Sequence, residues 1–322
     1  MAYEFTEKQK NTITEKWGND FYDKILRDIE TYSEKWKLSE FELMEYYSIN
    51  AILFCKSELY GDCVLKIGGN WQNYEFVGEY NTLREYNGRK YVKVYEGDID
   101  IENGKKVTLI ERVRPGTRLS EEPSFEKRLA VFSELYNGLH IEPENPEIYD
   151  YLSDWVDEAV KDCEESQNDL KEIEKYMRKA KDIYLEIIKT YDKNMLLHID
   201  IYGANVVSDS NGGYKLIDPK GVIGDPIFET GQFIFNECCE DKTEPEKAGI
   251  IFYYLEKSLN IPQDILKKCF FIETVRFISY YAAKYGASEF DVERIKFAKA
   301  VMNNGNNHKG TQTDDFIGIE NG

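Results

Sequence analysis

The sequence has few of the side chains that hold transition metals. Only 3 histidines occur among its 322 residues, and its 6 cysteines show no metal-ligand spacing. A structural zinc site needs four such ligands, usually in closely spaced pairs, so we exclude a zinc-binding protein. The adjacent Cys238 and Cys239 are predicted to be ordinary buried thiols.

Long apolar runs are also missing. No segment approaches the ~18 consecutive apolar residues that a membrane-spanning helix requires. The first residues, Met1 to Phe5, lead into a polar helix rather than into a secretory signal. We therefore expect no membrane partner, and the reducing cytoplasm is the predicted location.

Positive charge is scarce relative to negative charge. There are 41 Lys and Arg against 60 Asp and Glu, which gives a formal net charge of −19. Such a balance argues against nucleic acid or an anionic membrane surface as a partner, and it is compatible with a cationic small substrate. With 42% hydrophobic and 31% charged residues the composition is that of a folded globular protein.

Apolar spacing and turn residues divide the chain into a β-rich first part and a helical second part. The first part opens with a predicted helix over 7–36, in which apolar residues recur at three-to-four spacing. The other elements predicted there are strands at 46–56, 62–68, 91–95 and 106–113 and a helix at 76–86. The run Arg114-Pro115-Gly116-Thr117 marks a hinge. Helices are predicted beyond it at about 124–140, 147–188, 226–238, 243–258, 263–285 and 288–302, with a mobile tail from about 303.

This layout predicts an α+β fold with two lobes. The small β-rich N-terminal lobe would span residues 1–114 and the larger helical C-terminal lobe residues 115–322. A chain of this length is long for one compact core, which is the other reason for expecting two.

One stretch in the helical part carries groups typical of phosphoryl transfer. His198, Asp200 and Asn205 have the spacing H-x-D-x-x-x-x-N, and a predicted hairpin then leads to Asp218. Kinase chemistry uses one carboxylate to accept the proton of the acceptor hydroxyl, and an Asn and a second Asp to hold magnesium. We predict Asp200 as the catalytic base and Asn205 and Asp218 as the metal ligands, because Mg²⁺ prefers hard oxygen donors.

A lysine on a predicted strand of the first part completes the set. An alternating strand can direct Lys66 towards nucleotide phosphates. Its expected partner is a glutamate on the following helix, where Glu75, Glu79 and Glu85 compete. A charge-assisted hydrogen bond from such a glutamate would fix the lysine.

The run Ile217-Asp218-Pro219-Lys220-Gly221-Val222-Ile223-Gly224-Asp225-Pro226 resembles the second motif of a known family. That family is the aminoglycoside phosphotransferase superfamily, which has the protein-kinase-like fold, and the streptomycin kinase and hydroxyurea-resistance branch is the most similar part. The segments 34–38, 64–66 and 79–86 agree with it more weakly, and the last favours Glu79 as the partner of Lys66. The first motif of that branch is H-G-D-L-H-x-x-N, which corresponds to residues 198–205. Ile199 stands in place of its Gly, and Tyr202 in place of its second His.

The resemblance implies roles for further residues. Backbone groups at Glu111 and Val113 would bind the adenine at the hinge, while His198 and Glu229 would brace the catalytic loop. Asp225 would brace the loop or face the substrate. Acidic residues of the helical lobe bind cationic aminoglycosides in resistance kinases, which makes Glu237 and Glu240 possible substrate-binding residues. Lys220 would balance charge, or contact substrate or phosphate, and the sequence leaves this open.

We therefore predict an ATP- or GTP-dependent, magnesium-requiring O-phosphotransferase that acts on an aminoglycoside such as streptomycin. A kinase of a metabolic amino alcohol, amino acid or sugar is the alternative. A second alternative is a non-catalytic nucleotide sensor, supported by the lack of glycine in the segment 46–54. A protein kinase is disfavoured, because no activation segment with an A-P-E motif follows and Pro219-Lys220 replaces Phe-Gly.

Overall fold

The chain divides into two compact units, of which neither is continuous in sequence. The computed structural model describes residues 3–44, 49–69, 73–239 and 243–304. One unit combines residues 1–117 with 207–221, and the other combines residues 118–206 with 222–322. The sequence predicted one continuous lobe on each side of residue 114. The hairpin at 207–221 instead joins the first unit, where Leu216 shares backbone hydrogen bonds with Lys90 and Val92.

Helices and strands follow one another along the described residues with short connections. The α-helices are α1 (Glu7–Trp17), α2 (Asn19–Lys35), α3 (Asn73–Tyr86), α4 (Phe125–Tyr136), α5 (Leu152–Glu165), α6 (Lys171–Ile187), α7 (Glu229–Cys239), α8 (Pro245–Leu259), α9 (Gln263–Tyr285) and α10 (Glu289–Asn303). The strands are β1 (Leu38–Leu43), β2 (Ala51–Ser57), β3 (Gly61–Ile67), β4 (Val94–Asp100), β5 (Lys105–Glu111), β6 (Pro115–Arg118), β7 (Asp150–Tyr151), β8 (Met195–Leu197), β9 (Val206–Asp209), β10 (Tyr214–Leu216) and β11 (Val222–Gly224). Short 3₁₀ helices lie at Leu119–Glu121, Pro146–Ile148, Gly203–Asn205 and Pro226–Phe228.

The predicted first helix is two helices. Gly18 adopts φ +85°, a conformation that a helix interior does not contain, and its N–H caps α1 by donating to the carbonyl of Thr14. The apolar stripe continues through α2, where Phe21, Ile25 and Ile29 are buried. Periodicity located the buried face correctly but did not detect the break, because Gly18 lies between two stretches of similar pattern.

A five-stranded antiparallel sheet in the order β1-β2-β3-β5-β4 forms the centre of the first unit. Side chains of a strand alternate between its two faces, so Leu53 of β2 and Leu65 of β3, which are paired, point the same way. Both belong to a core cluster with Ile25 and Ile29 of α2. Lys66 follows Leu65 and therefore points from the opposite face, which leaves it outside this core.

Strand positions differ from the predictions at two edges. The predicted strand at 91–95 begins only at Val94, because Tyr91 makes an isolated bridge to Leu216 of the hairpin instead. Strand β1 was not predicted. The predicted strand at 46–56 is present as β2 from residue 51, and residues 45–48, with part of the glycine-poor segment, lie outside the described residues.

The second unit is mainly helical, as predicted, and the helix predicted over 147–188 is interrupted. Between α5 and α6, Ser166 donates to the carbonyl of Ala283, and Asn168 donates to those of Ala282 and Ala283. These side chains satisfy carbonyls at the end of α9, so the interruption serves as a cap for another helix. The antiparallel sheet and the helical remainder confirm the predicted α+β fold.

An aromatic stack and a close approach of two helices position α7 in the second unit. Phe132 of α4 stacks on Phe233 of α7 with ring centroids 4.0 Å apart. A Cβ at Gly231 would lie 2.6 Å from the Cβ of Glu273, so α7 and α9 pack closely only because this residue is glycine. Among the described residues, no helix is both long and apolar enough to cross a membrane.

Two leucines of the β2–β3 hairpin test the core of the first unit. Leu65 is fully buried, whereas Leu59 at the turn is 61% exposed. We expect Leu65→Ala to lower the free energy of unfolding by about 2–5 kcal/mol, through lost burial and the remaining cavity. Leu59→Ala removes the same atoms and should change it by less than about 0.5 kcal/mol. Denaturant unfolding measures both, and equal effects would place the core elsewhere.

Candidate active site

Lys66, Glu79 and Asp218 form a compact charged cluster in the first unit. Lys66 Nζ lies 2.5 Å from Glu79 Oε2 and 2.6 Å from Asp218 Oδ1. Lys66 and Glu79 are only 5% and 8% exposed, so the ammonium is held almost entirely by these two carboxylates. The structure thus contains the predicted pair of Lys66 and a glutamate of the next helix, and Glu79 is that glutamate.

Backbone structure brings Asp218 to this lysine. Strand β10 ends at Leu216, whose backbone is hydrogen-bonded to Lys90 and Val92, and Asp218 follows two residues later. Asp218 has φ +55°, the left-handed conformation, which Asp tolerates better than most residues. The turn out of the strand directs its carboxylate back to β3.

Burial and mutual attraction set the charges of the cluster. Burial alone would lower the pKa of Lys66, but Asp218 and Glu79 outweigh it and raise the pKa above its ordinary value. Burial raises the pKa of Glu79 to about 7, with Lys66 acting in the opposite direction. For Asp218, desolvation is outweighed by Lys66, which holds the pKa at about 2. Asp218 is therefore the carboxylate that stays ionised and available to a cation.

A second lysine–glutamate pair lies beside the first. Lys220 Nζ lies 3.0 Å from Glu75 Oε2, so the glutamate that competed with Glu79 for Lys66 has a lysine of its own. The sequence suggested neither this pairing nor the fixed position of Lys220. The only signal for it was that Glu75 and Glu79 are four residues apart and therefore share a helix face.

In the second unit, one buried glutamate holds the backbone of the loop that contains Asp200. Strand β8 ends at Leu197, and the N–H groups of His198 and Ile199 donate to Glu229 Oε1 and Oε2 at 2.5 and 2.8 Å. Glu229, the first residue of α7, is fully buried. His140 Nε2 lies 3.5 Å from the same carboxylate, a neighbour that the sequence did not indicate.

His198 makes a hydrogen bond within the same loop, and its role as a brace stays a prediction. Its imidazole is fully buried, and Nδ1 accepts a hydrogen bond of 3.2 Å from the N–H of Asp200. Ile199 has φ +57°, a conformation that a β-branched residue rarely adopts. This backbone requirement explains a Gly at the corresponding position of the H-G-D motif.

Asp200 and Asn205 are in direct contact. Asn205 Nδ2 donates to the backbone carbonyl of Asp200 at 3.0 Å and to its Oδ2 at 3.2 Å. Gly203 lets the loop lie against the 3₁₀ helix at Leu119–Glu121, since a Cβ there would meet the backbone nitrogen of Ser120 at 2.8 Å. Because the amide nitrogen of Asn205 donates to Asp200, its amide oxygen is the atom that could bind a cation.

Two of the three acidic residues considered for substrate binding have partners within the protein. Glu237 accepts two hydrogen bonds from the Arg128 guanidinium, at 2.8 and 2.9 Å, and lies 3.3 Å from Lys247 Nζ. Asp225 accepts from the N–H of Ile227 and of Lys193, which lie outside the loop from His198 to Asn205, and its role towards loop or substrate stays a prediction. Glu240 lies outside the described residues. Pairing between distant residues cannot be predicted from the sequence, in which Glu237 is only one of several neighbouring acidic residues.

The predicted adenine-binding residues lie at the end of β5. Glu111 binds Lys215 Nζ with both carboxylate oxygens at 2.7 Å, and its backbone N–H donates to the carbonyl of Lys93. That N–H is therefore already hydrogen-bonded within the protein and does not serve as a donor to adenine. Val113 follows the strand, and its role at the adenine stays a prediction.

The oxygen donors fit magnesium better than a softer metal. In the first unit Asp218 supplies an ionised carboxylate, and in the second unit Asn205 supplies an amide oxygen. Each is a hard oxygen donor of the kind that Mg²⁺ prefers. Within the described ranges, no group of three or more His, Cys, Asp or Glu side chains is placed to hold a metal ion on its own.

Solved structures that are similar to this chain include several kinases. Choline kinase LicA from Streptococcus pneumoniae is 15% identical, with 88% of this chain and 99% of that chain covered and a TM-score of 0.59. A choline/ethanolamine kinase family protein from Mesorhizobium loti is 15% identical, with 83% and 89% covered and a TM-score of 0.61. A thermostable mutant of aminoglycoside phosphotransferase APH(4)-Ia, with ADP and hygromycin B, is 14% identical, with 88% and 99% covered and a TM-score of 0.59. The fold is therefore protein-kinase-like, as predicted.

Family membership gives the enzyme class. The chain belongs to the aminoglycoside/hydroxyurea antibiotic resistance kinase family, whose model matches residues 62–276, more than half of the chain. No curated protein is similar enough to be matched. The protein is thus a small-molecule phosphotransferase of the aminoglycoside phosphotransferase and choline kinase type, which confirms the predicted superfamily and enzyme class.

The raised pKa of Glu79 predicts a pH dependence of stability. A carboxyl whose pKa rises from 4.5 to about 7 on folding stabilises the fold fully below about pH 4.5 and loses this contribution as the pH rises through about 7. Glu79→Gln keeps an uncharged side chain of the same shape at every pH. Between pH 5 and 8 the wild-type protein should therefore lose more unfolding free energy than the variant. Urea unfolding without nucleotide measures this, and parallel profiles would show that Glu79 stays ionised.

Replacement of Glu229 is predicted to destabilise the protein, because its carboxylate holds the backbone of the catalytic loop. Glu229→Gln leaves one oxygen acceptor for two backbone N–H groups and turns an NH₂ donor towards the other. We expect the free energy of unfolding to fall by about 1–3 kcal/mol, the cost of an unsatisfied buried donor. Glu293→Gln, at an exposed position of α10, is the matched control and should have no measurable effect. If both variants are as stable as the wild type, Glu229 does not hold the loop.

Proposed function

We propose that the protein transfers the γ-phosphoryl group of ATP or GTP to a hydroxyl of a small molecule, with a streptomycin-like aminoglycoside as the first candidate. The observation that carries the proposal is Asp200, held by its own loop and in contact with Asn205. A loop in which a carboxylate and an amide are fixed together suits a reaction that depends on positioning. The family model, named for aminoglycoside and hydroxyurea resistance, supports the choice of acceptor.

In the proposed reaction each residue has a separate task. Asp200 orients the acceptor hydroxyl, whose oxygen forms a bond to the γ-phosphorus while the bond from that phosphorus to the bridging oxygen breaks. The hydroxyl proton passes to Asp200 late, because the transition state is loose. Lys66, fixed by Glu79, neutralises charge on the nucleotide phosphates. Asn205 and Asp218 would hold magnesium, which supplies further charge neutralisation when bound.

An amino alcohol is the second candidate acceptor. The structures of similar fold include a choline kinase and a choline/ethanolamine kinase family protein, and both alcohols are cationic or carry an amine. A formal net charge of −19 favours cations of either class in the surrounding solution. Because Glu237 is bound to Arg128, neither candidate is expected to use its carboxylate. We place the enzyme in the cytoplasm, since all 6 cysteines are free and buried.

The activity test is nucleotide turnover with a panel of acceptors. ADP and GDP release would be measured with magnesium nucleotide and streptomycin, other aminoglycosides, amino alcohols, amino acids and sugars. One acceptor class should stimulate release, and Asp200→Asn should lower kcat by about 10²–10⁴-fold, the contribution of a general base. Asp192→Asn, an exposed aspartate before β8, should leave kcat unchanged.

Two outcomes would contradict the proposal. Tight nucleotide binding without stimulated release by any acceptor would favour the non-catalytic sensor. Equal activity of Asp200→Asn and the wild type would remove Asp200 from the reaction, although a transferase would remain.

A further inference from the structure

Helix α3 carries two glutamates that hold two lysines from different parts of the first unit. Glu75 and Glu79 are one helical turn apart and lie on the same face. Glu79 binds Lys66 of β3 at 2.5 Å, and Glu75 binds Lys220, two residues after Asp218, at 3.0 Å. The helix therefore contacts both the phosphate-binding candidate and the loop of the metal-binding candidate.

The same helix meets the Asp218 loop backbone to backbone. A Cβ at Gly78 would lie 2.4 Å from the carbonyl oxygen of Lys220. A Cβ at Gly221 would lie 2.2 Å from Thr82 Oγ1, and Gly221 has φ +72°, which favours glycine. Neither glycine has room for a side chain, so α3 and the loop are packed without any adjustable group between them.

The pair of Glu75 and Lys220 is shielded from water well enough to hold the loop in place. The Glu75 side chain is 16% exposed and that of Lys220 is 30% exposed, whereas freely solvated pairs contribute little. Asp218 is half exposed, contacts Lys66 directly at 2.6 Å, and precedes Lys220 by two residues. Its loop is therefore held at Lys66 on one side and at Lys220 on the other, and both attachments end on α3.

We propose that Glu75 and Lys220 are a positioning pair that fixes the Asp218 loop for binding of the magnesium nucleotide. The inference rests on the proposed function, because it assigns a task at the same site. Neither residue touches the reacting atoms. Glu75 acts through Lys220, and Lys220 acts by holding the turn that directs Asp218. Helix α3 consequently couples the phosphate-binding lysine to the metal-binding aspartate.

The test compares nucleotide binding with and without magnesium. Calorimetric titration would measure ADP affinity for the wild type, Lys220→Met, Glu75→Gln and the double variant. Each single change should weaken Mg·ADP binding by about tenfold, the size of effect seen when a partner of a metal ligand is removed. Affinity for ADP without magnesium should change less than about twofold. The double variant should be no weaker than the weaker single one, since both changes break one interaction.

Two matched variants separate positioning from general destabilisation. Lys24→Met removes another partly buried lysine, paired with Asp28 at 2.5 Å on α2, and should leave both affinities unchanged. Lys220→Arg keeps the charge and should restore Mg·ADP binding to within about threefold of the wild type. Thermal unfolding of each variant checks that it is folded, and Glu75→Gln preserves the side-chain shape if Lys220→Met is unstable.

The outcomes separate this inference from the proposed function. If the wild type binds Mg·ADP and transfers phosphoryl groups while Lys220→Met and Glu75→Gln bind normally, the positioning pair is wrong and the proposed function stands. Additive losses in the double variant would also overturn the pair. If the wild type binds no magnesium nucleotide, both ideas fail together.

Discussion

The first unit is organised around a lysine ammonium that is almost completely removed from water. An isolated charge in such a place is strongly unfavourable, so Lys66 requires anions within contact distance. Glu79 and Asp218 meet this requirement from a helix and from a hairpin that is distant in sequence. The position of α3 and the return of the chain at 207–221 are therefore consequences of the same electrostatic requirement. This also explains why the hairpin belongs to the first unit.

The second unit contains the opposite arrangement, a buried carboxylate that accepts hydrogen bonds from backbone N–H groups. Glu229 has no exposed surface, and two consecutive N–H groups of the catalytic loop donate to it. Two strong charge-assisted bonds are thereby built into the start of α7, which is itself fixed by close packing on α9. Asp200 thus acquires its place from a helix that takes no part in the chemistry.

The sequence predicted the features that depend on local pattern and on motif. The α+β division, the helices of the second unit, the loop from His198 to Asn205, and the pairing of Lys66 with Glu79 all follow from spacing or from family resemblance. It did not predict the break at Gly18, because periodicity continues across it, nor the split between α5 and α6, which serves the end of α9. The partners of Glu75 and Glu237 were missed for a related reason. Each depends on which distant cation the fold brings close, and no local pattern records that.

The left-handed backbone of Ile199 limits which residues this position can hold. This conformation costs about 1–2 kcal/mol for a residue with a Cβ, and more for a β-branched one, while burial of the isoleucine side chain returns an amount of similar size. Glycine avoids the cost and isoleucine recovers it. Alanine bears the full backbone cost and recovers little, so the tolerated residues at this site form two separate classes, one without a side chain and one large and apolar. Sequences of relatives should therefore alternate between these extremes, with the small side chains between them rarely used.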